Sequence, residues 1–399
     1  MKRIIVVGGG IIGITTALEV SKRKIFDEIL ILEKDNELGS HATVRNSGVI
    51  HAGFYYTEDS KKAEFCSEGN NLLRKYCLEK NITINKCGKV VVTKNKFDEE
   101  TLSLLYKRGL NNGVELELFE KKQLYKYEEN AKTFESFLWS PNTWSASPKE
   151  VLENLKEDIK SQGIKVLKNV EVVKGDEKKV FDSKGNSYDY DFLVNCAGGY
   201  SLNIAKVLGL NSKYKILPFK GLYLKSKEKC YLYKTHIYPV PNIKQPFLGI
   251  HTTLTADNFL KLGPTAVPAF SPENYSLFRG LAPSLSSDIL LTQLNCFIHN
   301  NFDFRKLAFQ EVKYLCKQNI INEANKLTNI NLNEIDFEWY TPGIRPQLYN
   351  IISKNLEMDF IIESSENQLH ILNSISPAWT CSLKSSQYIA DKIIDLYLK

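Results

Sequence analysis

"RIIVVGGGIIGITTALEV", residues 3–20, passes from a β-branched apolar segment through three glycines into apolar residues at helical spacing. Residues 3–8 read as a buried strand and 11–22 as a helix. The spacing Gly8-x-Gly10-x-x-Gly13 lies where strand turns into helix, and "DEILILEK" (27–34) supplies a second strand that ends at Glu33. Each position has a physical task. Gly8 permits the tight turn, and Gly10 lets the backbone approach a pyrophosphate at the helix N-terminus. Gly13 lets helix and strand pack closely, and Glu33 accepts hydrogen bonds from a ribose diol. Ile11, Ile12 and Lys34 flank these positions and complete the candidate dinucleotide cradle.

Working outward, the chain leaves the repeating strand–helix pattern of a nicotinamide enzyme after Glu33 and reads "GSHATVRNSGVIHAG" (39–53). A later apolar strand ends in small residues, "DFLVNCAGGYS" (191–201), and Gly/Pro-rich stretches return in "TPGIRPQL" (341–348) and "NSISPAWTCS" (373–382). Such distant returns suit a long dinucleotide lying extended. They favour FAD over NAD as the cofactor.

The rest of the chain is compatible with an ordinary globular protein: 399 residues, 43% hydrophobic, 25% charged, net charge +6. This length accommodates two domains. The charge is too diffuse for a nucleic-acid partner, and no basic cluster with interleaved aromatics occurs. The eight cysteines, at 66, 77, 87, 196, 230, 296, 316 and 381, form no C-x-x-C pair, so neither a metal site nor a dithiol motif is expected. They read as reduced thiols of a cytoplasmic protein. Three glycines break the apolar opening and no small-residue cleavage site follows, so it is not read as a secretion signal. No apolar run is long enough to span a membrane.

Further along, residues 58–80 read as a helix and "KCGKVVVT" (86–93) as a strand. Ser147 caps a helix with Pro148 at its first position, which runs to about Gln162 and stops at Gly163. Residues 183–186 make a hairpin turn, 214–265 hold strand-like runs of antiparallel character, and 275–335 are helical. Strands "DFIIES" (359–364) and "LHILNS" (369–374) precede a closing helix over 382–398. The expected fold class is α/β and α+β, a Rossmann-type FAD-binding domain interlocked with an antiparallel-sheet substrate domain. Residues 1–85, 145–217 and 336–399 are assigned to the first, and 86–144 and 218–335 to the second.

The segments "NSGVIHAGFYY" (46–56), "KAEFC" (62–66), "CGKVVV" (87–92), "PFKGLYL" (218–224), "IYPVPNIKQPFLGIH" (237–251), "LGPTAV" (262–267), "PGIRPQ" (342–347) and "SPAWT" (376–380), in this order, resemble the FAD-dependent D-amino-acid oxidase-like superfamily. Within it the chain is most similar to the L-2-hydroxyglutarate oxidase/dehydrogenase family, along nearly its whole length. Three segments depart from that family's pattern. "HATVRNSG" stands for "HQTGHNSG". Lys220-Gly221-Leu222 replaces an arginine-glycine followed by an acidic residue. Trp379 stands in the final flavin-facing segment.

The resemblance implies that Thr43, Asn46, Ser47, Gly48, Val170, Ala197, Gly198, Gly343, Arg345, Pro377, Ala378 and Thr380 join the glycine motif in holding FAD. It also implies oxidation of an L-2-hydroxy acid to the 2-oxo acid, with L-2-hydroxyglutarate favoured. A hydride leaves for the flavin and a base takes the hydroxyl proton. His51 is the candidate base, because imidazole titrates near neutrality and the residue follows the flavin-facing "RNSG". The competing reading makes His51 a buried imidazole satisfied by a carbonyl. Lys220 and Arg345 are candidate partners for substrate carboxylates, with Tyr238 and His251 as hydrogen-bond donors. Tyr55 and Tyr56 are further candidates for the wall. Flavin attachment through His51 or Cys381 is the lesser alternative. The competing functions are an amine or amino-acid oxidase of the same superfamily, glycine/sarcosine oxidase-like, and an inert flavin-binding protein. The expected partners are a small 2-hydroxy (dicarboxylic) acid and, as electron acceptor, oxygen or a quinone. The sparsely charged 274–294 segment offers peripheral contact with the inner face of a membrane, against a plain helical cover.

Overall fold

The computed structural model describes residues 1–243, 247–276 and 280–398. Arg3–Val7 is central in a six-stranded sheet, parallel to Glu28–Leu32 on one side and Phe192–Asn195 on the other. Lys165–Leu167 and Gln368–Asn373 extend it in parallel, and Ile361–Ser365 closes one edge antiparallel. Ile4, Ile5 and Val6 are fully buried, as expected of a parallel strand covered on both faces. Ile4 and Val6 pack under helices Ile11–Arg23 and Ala378–Tyr397. Ile5 and Val7 face helix Ser201–Val207 and a three-stranded antiparallel layer whose hairpin turns at 183–186. The Ser147-capped helix spans Pro148–Ser161, and Gly163 has a φ of +68° just past its end.

The second sheet has ten strands. Most of its pairs are antiparallel, but Lys89–Val92 lies parallel to His236–Pro239. The expected all-antiparallel sheet is therefore mixed. The two strands are joined by a long excursion rather than a hairpin, which leaves their direction free. Tyr214–Lys229 and Phe337–Asn350 form its longest ladder. That ladder bonds 214–217 and 337–350, both assigned to the cofactor domain, into the large sheet and not the parallel one. Pro218 and Pro346 both lie inside this ladder. They lie directly opposite each other, at a pair where the strands exchange no N–H bonds.

Helix Lys96–Asn111 and strands Glu117–Glu120 and Ser136–Ser140 lie in a region the sequence reading left unassigned. The closing helix starts at Ala378, four residues earlier than expected, directly after Pro377. Within 275–335, the described residues form helices Pro283–His299, Phe304–Val312 and Lys317–Ala324.

Side-chain alternation divides the large sheet cleanly. Val90, Val92, Leu224, Ile237, Leu254, Leu260 and Leu262 point outward into an apolar core closed by Ile320, Ile321 and Ala324. The intervening residues, Lys89, Tyr223, His236, Tyr238, His251, Thr253 and Lys261, point the other way, and all are buried. That inner face lies over the 46–56 stretch.

Candidate active site

The glycine motif is built to close tolerances. A Cβ on Gly8 would sit 2.6 Å from the Cys196 carbonyl oxygen, and one on Gly13 would sit 2.0 Å from the Gly8 carbonyl oxygen. Glu33 is buried at the end of its strand and accepts from Gly9 N–H at 2.7 Å and Asp35 N–H at 2.9 Å. The Thr43 hydroxyl accepts from Ile11 N–H at 2.9 Å and stands 3.4 Å from a Cβ placed on Gly10. A Cβ on Gly198 would meet nothing within 4 Å. The helix N-terminus at Gly10 and the Ala197–Gly198 turn therefore front open space at the carboxyl ends of parallel strands, a setting that fits a pyrophosphate. Val170 N–H bonds to the Glu33 carbonyl. Lys34 is engaged elsewhere, in ion pairs with Glu273 and Asp35 and beneath the Tyr200 ring.

The 46–56 stretch is pinned from several sides. Asn46 donates to the Thr43 carbonyl at 2.7 Å and accepts from Gly48 N–H at 2.8 Å, while Ser47 accepts from Val49 N–H. Gly48 has φ +76°, and a Cβ there would stand 2.7 Å from the Ala146 carbonyl oxygen. His51 donates its backbone N–H to the Thr380 hydroxyl at 3.1 Å, and its carbonyl accepts from Asn70 at 3.0 Å. The imidazole Nδ1 is buried with no hydrogen-bond partner among the described residues. The carbonyl-satisfied imidazole of the competing reading is thus not what the structure contains.

Above this stretch, the inner face presents Tyr238 with its ring stacked on His251, centroids 3.7 Å apart. His251 Nδ1 bonds the Gly249 carbonyl at 2.9 Å. Among the described residues the buried Tyr55 hydroxyl has no hydrogen-bond partner, and the buried Tyr238 hydroxyl has only the Thr253 hydroxyl beside it. Lys261 reaches the Asn46 and Ser47 carbonyls at 3.4 and 3.3 Å. Lys89 is fully buried with its ammonium over the rings of Phe54, Tyr55 and Tyr238, at 4.3, 4.7 and 4.7 Å. Tyr56 turns away and packs against the core of the parallel sheet. Cys381 is a buried free thiol, and Trp379 is buried in the same core with its indole N–H unpartnered among the described residues.

Lys220 and Arg345 do not form one clamp. In the ladder Lys220 is opposite Ile344, and Phe219 is opposite Arg345. Directly opposed residues share a face and neighbours along a strand do not, so the two cations point to opposite faces. Contacts agree: Arg345 lies over Phe247, against which Phe219 also packs, whereas Lys220 reaches Asn274 and the Ser276 carbonyl. The quoted 237–251 segment passes through residues 244–246, and 274–294 through 277–279. Those residues lie outside the described ones, and the membrane-contact expectation falls partly on them.

Electrostatics single out the inner face. Burial, then the charge of Lys89, then His236 and Arg345, lower His51 to about 3. Burial also pushes His251 well below its ordinary value. Lys89 and Lys261 are each lowered to about 7, chiefly by burial. His51 is therefore neutral at pH 7, the form that accepts a proton.

Comparison with known proteins accounts for this architecture. The family model described as FAD dependent oxidoreductase matches residues 3–392. The chain belongs to the FAD dependent oxidoreductase family. L-2-hydroxyglutarate dehydrogenase, mitochondrial, of Homo sapiens is 34% identical over 98% of this chain and 88% of its own length. L-2-hydroxyglutarate dehydrogenase of Indibacter alkaliphilus is 34% identical over 96% of each chain. Among solved structures, FAD-bound L-alpha-glycerophosphate oxidase from Mycoplasma pneumoniae superposes with a TM-score of 0.75 at 19% identity, covering 100% of this chain and 96% of the other. Glycine oxidase from Geobacillus kaustophilus gives 0.73 at 15%, covering 99% and 95%. These likenesses establish the FAD-oxidoreductase fold for this chain. No helix among the described residues is long and apolar enough to cross a membrane.

Sequence reasoning missed the buried lysines Lys89 and Lys261. A lysine between Leu260 and Leu262, or before three valines, fits an apolar/polar alternation whose polar side faces water. Pattern alone does not tell water from a pocket.

Proposed function

We propose that the protein oxidises L-2-hydroxyglutarate to 2-oxoglutarate. The observation that carries the reading is His51, a neutral imidazole with a free buried nitrogen, beside the flavin-facing stretch and beneath a polar, water-poor sheet face. Relatives that match this chain over nearly its full length are named for that substrate. FAD, when bound, supplies the two-electron acceptor for the hydride leaving the α-carbon. The chain does the rest. Gly8, Gly10, Gly13, Glu33, Thr43 and Gly198 hold the dinucleotide, and the 46–48 and 377–380 turns border its reactive end. Arg345 grips the α-carboxylate with two parallel donors. His51 takes the hydroxyl proton as the carbonyl forms. Tyr238 and His251 bound the space in which the α-carbon sits.

The division of labour belongs to the same proposal. Residues 1–85, 145–213 and 351–399 hold the cofactor, while 86–144 and 214–350 cover the substrate, with 214–217 and 337–350 reassigned to follow their hydrogen bonds. The electron acceptor is oxygen or a quinone, and the location is cytoplasmic or peripheral on a membrane's inner face.

The test is anaerobic bleaching of the yellow holoenzyme against a panel of 2-hydroxy and 2-amino acids. Bleaching by L-2-hydroxyglutarate in preference to its D-isomer and to L-glutamate is expected. Bleaching by amino acids alone would establish the amino-acid oxidase reading instead.

A further inference from the structure

The reading above assigns Arg345 to one carboxylate and leaves Lys89 without a task. A fully buried lysine with no hydrogen-bond acceptor among the described residues is costly, because its charge loses hydration that nothing replaces with a hydrogen bond. The three rings around Lys89 attract the cation through their faces but accept no conventional hydrogen bond from it. Neighbouring side chains offer no rescue. His236 accepts from Leu254 N–H through Nδ1 and approaches Cys87 through Nε2. The strand register places Lys89 directly beside His236 on the inner face, two residues from the position paired with Tyr238. Two more buried hydroxyls, those of Tyr55 and of Tyr238 with Thr253 at its side, belong to rings that lie under the same ammonium. Among the described residues the Lys89 ammonium and the Tyr55 hydroxyl have no hydrogen-bond partner, and the Tyr238 hydroxyl has only the Thr253 hydroxyl beside it. A compact anion with several acceptor lone pairs is the chemistry that would pair with this cluster.

We propose that Lys89, with the hydroxyls of Tyr55 and Tyr238, forms the receptor for the second, distal carboxylate of a dicarboxylic substrate. This deepens the 2-hydroxy-acid reading and rests on it. The arrangement gives the site two cations of different kinds. Arg345 presents a fork to the carboxylate next to the reacting carbon, and Lys89 presents a point charge to the far end. A monocarboxylate of equal length leaves Lys89 and the Tyr55 hydroxyl buried and unpaired, the situation in which a site rejects an analogue most strongly. The Cys66 thiol lies near Lys89, and the other titratable groups facing it are His51, Tyr55, His236, Tyr238 and His251, imidazoles lowered and phenols raised by burial, none of them negative at neutral pH. Lys89 and Arg345 are also among the charges that hold His51 low. A substrate carrying two carboxylates offsets these two charges and so raises the basicity of the imidazole in part, while the larger effect of burial remains.

The test compares parent holoenzyme with Lys89→Met, which keeps the length and removes the charge. Flavin reduction is followed with L-2-hydroxyglutarate and with L-2-hydroxypentanoate, whose methyl replaces the distal carboxylate. The ratio of kcat/KM for the two substrates should fall on the order of 10²-fold, and Lys89→Arg should recover part of it. Binding of glutarate, read from the flavin absorbance, should weaken relative to pentanoate by a similar factor. An unchanged ratio, with both substrates slowed together, overturns the proposal and makes Lys89 part of the framework or the proton path. A parent enzyme reduced by neither hydroxy acid overturns the function itself, an outcome distinct from the first. Should Lys89→Met not assemble with FAD, Tyr55→Phe and Tyr238→Phe replace it, each removing one hydroxyl. Either should lower the ratio about 10-fold, and no change in both overturns the proposal.

Discussion

The two faces of the ten-stranded sheet are made by the same strands and are buried to similar depth, yet they obey different rules. The outer face is aliphatic and packs under helices, so its positions are fixed by the transfer of apolar surface out of water. The inner face carries lysines, histidines and tyrosines that fall short of satisfying one another. A sheet folded for stability alone would make both faces like the outer one. The inner face opposes folding, and the outer face and the parallel sheet offset it. The difference is what the proposed binding site would require.

The sharpest way to break this contrast is at His51. His51→Gln should retain fold and FAD but slow flavin reduction about 10²–10⁴-fold at saturating substrate. Reduction at the parental rate would show that the proton leaves another way. Next comes Arg345→Ala, expected to lower kcat/KM about 10²-fold by removing a fork from a desolvated carboxylate. Steady-state kinetics with the reconstituted enzyme measures it. Outer-face substitutions should behave in the opposite manner. Leu262→Ala leaves a cavity and should cost about 2–5 kcal/mol of stability, seen as a lower Tm, while the folded fraction turns over normally.

Lys89→Met should raise the Tm, because it removes an uncompensated buried charge. Burial depresses Lys89 from its ordinary 10.5 to about 7, so between these values the unfolded chain binds more protons than the folded one. Stability therefore rises with pH across that window, and below it the full penalty applies. The gain from Lys89→Met should accordingly be largest below pH 7 and shrink toward pH 10, as thermal unfolding at several pH values would reveal. The smallest effect is expected at Lys220→Ala, with KM changed less than about threefold, since Lys220 occupies the face opposite Arg345. A large KM increase would place both cations on the substrate and undo the register argument.

Much of the parallel sheet was legible because its chemistry is local. Gly8, Gly10, Gly13 and Glu33 lie within a few dozen residues, and each demands a particular backbone or acceptor. His51 stands out as a candidate for a similar reason, sitting inside a stretch too polar and glycine-rich for an ordinary strand. The large sheet was less so. Lys89 acquires meaning only when strand 89–92 meets strand 236–239, remote in sequence, and Arg345 and Lys220 separate only once register is known. The strand-like run at 214–224 was visible, but its partner 337–350 was not, because pairing between segments so distant leaves no local pattern.

The hydrogen bond from His51 to Thr380 spans 329 residues, and the Thr380 hydroxyl donates onward to the Val49 carbonyl. Considered in the time order of synthesis, this ties one of the first-made parts of the site to one of the last. At about 5–20 residues per second, the ribosome takes roughly 16–66 s to cover that interval. During it the nascent chain already carries its glycine motif and its imidazole, but the turn that anchors the imidazole's backbone has not been made. A chain stopped short of residue 378 would contain nearly every group named above and still lack the clasp that sets them in place.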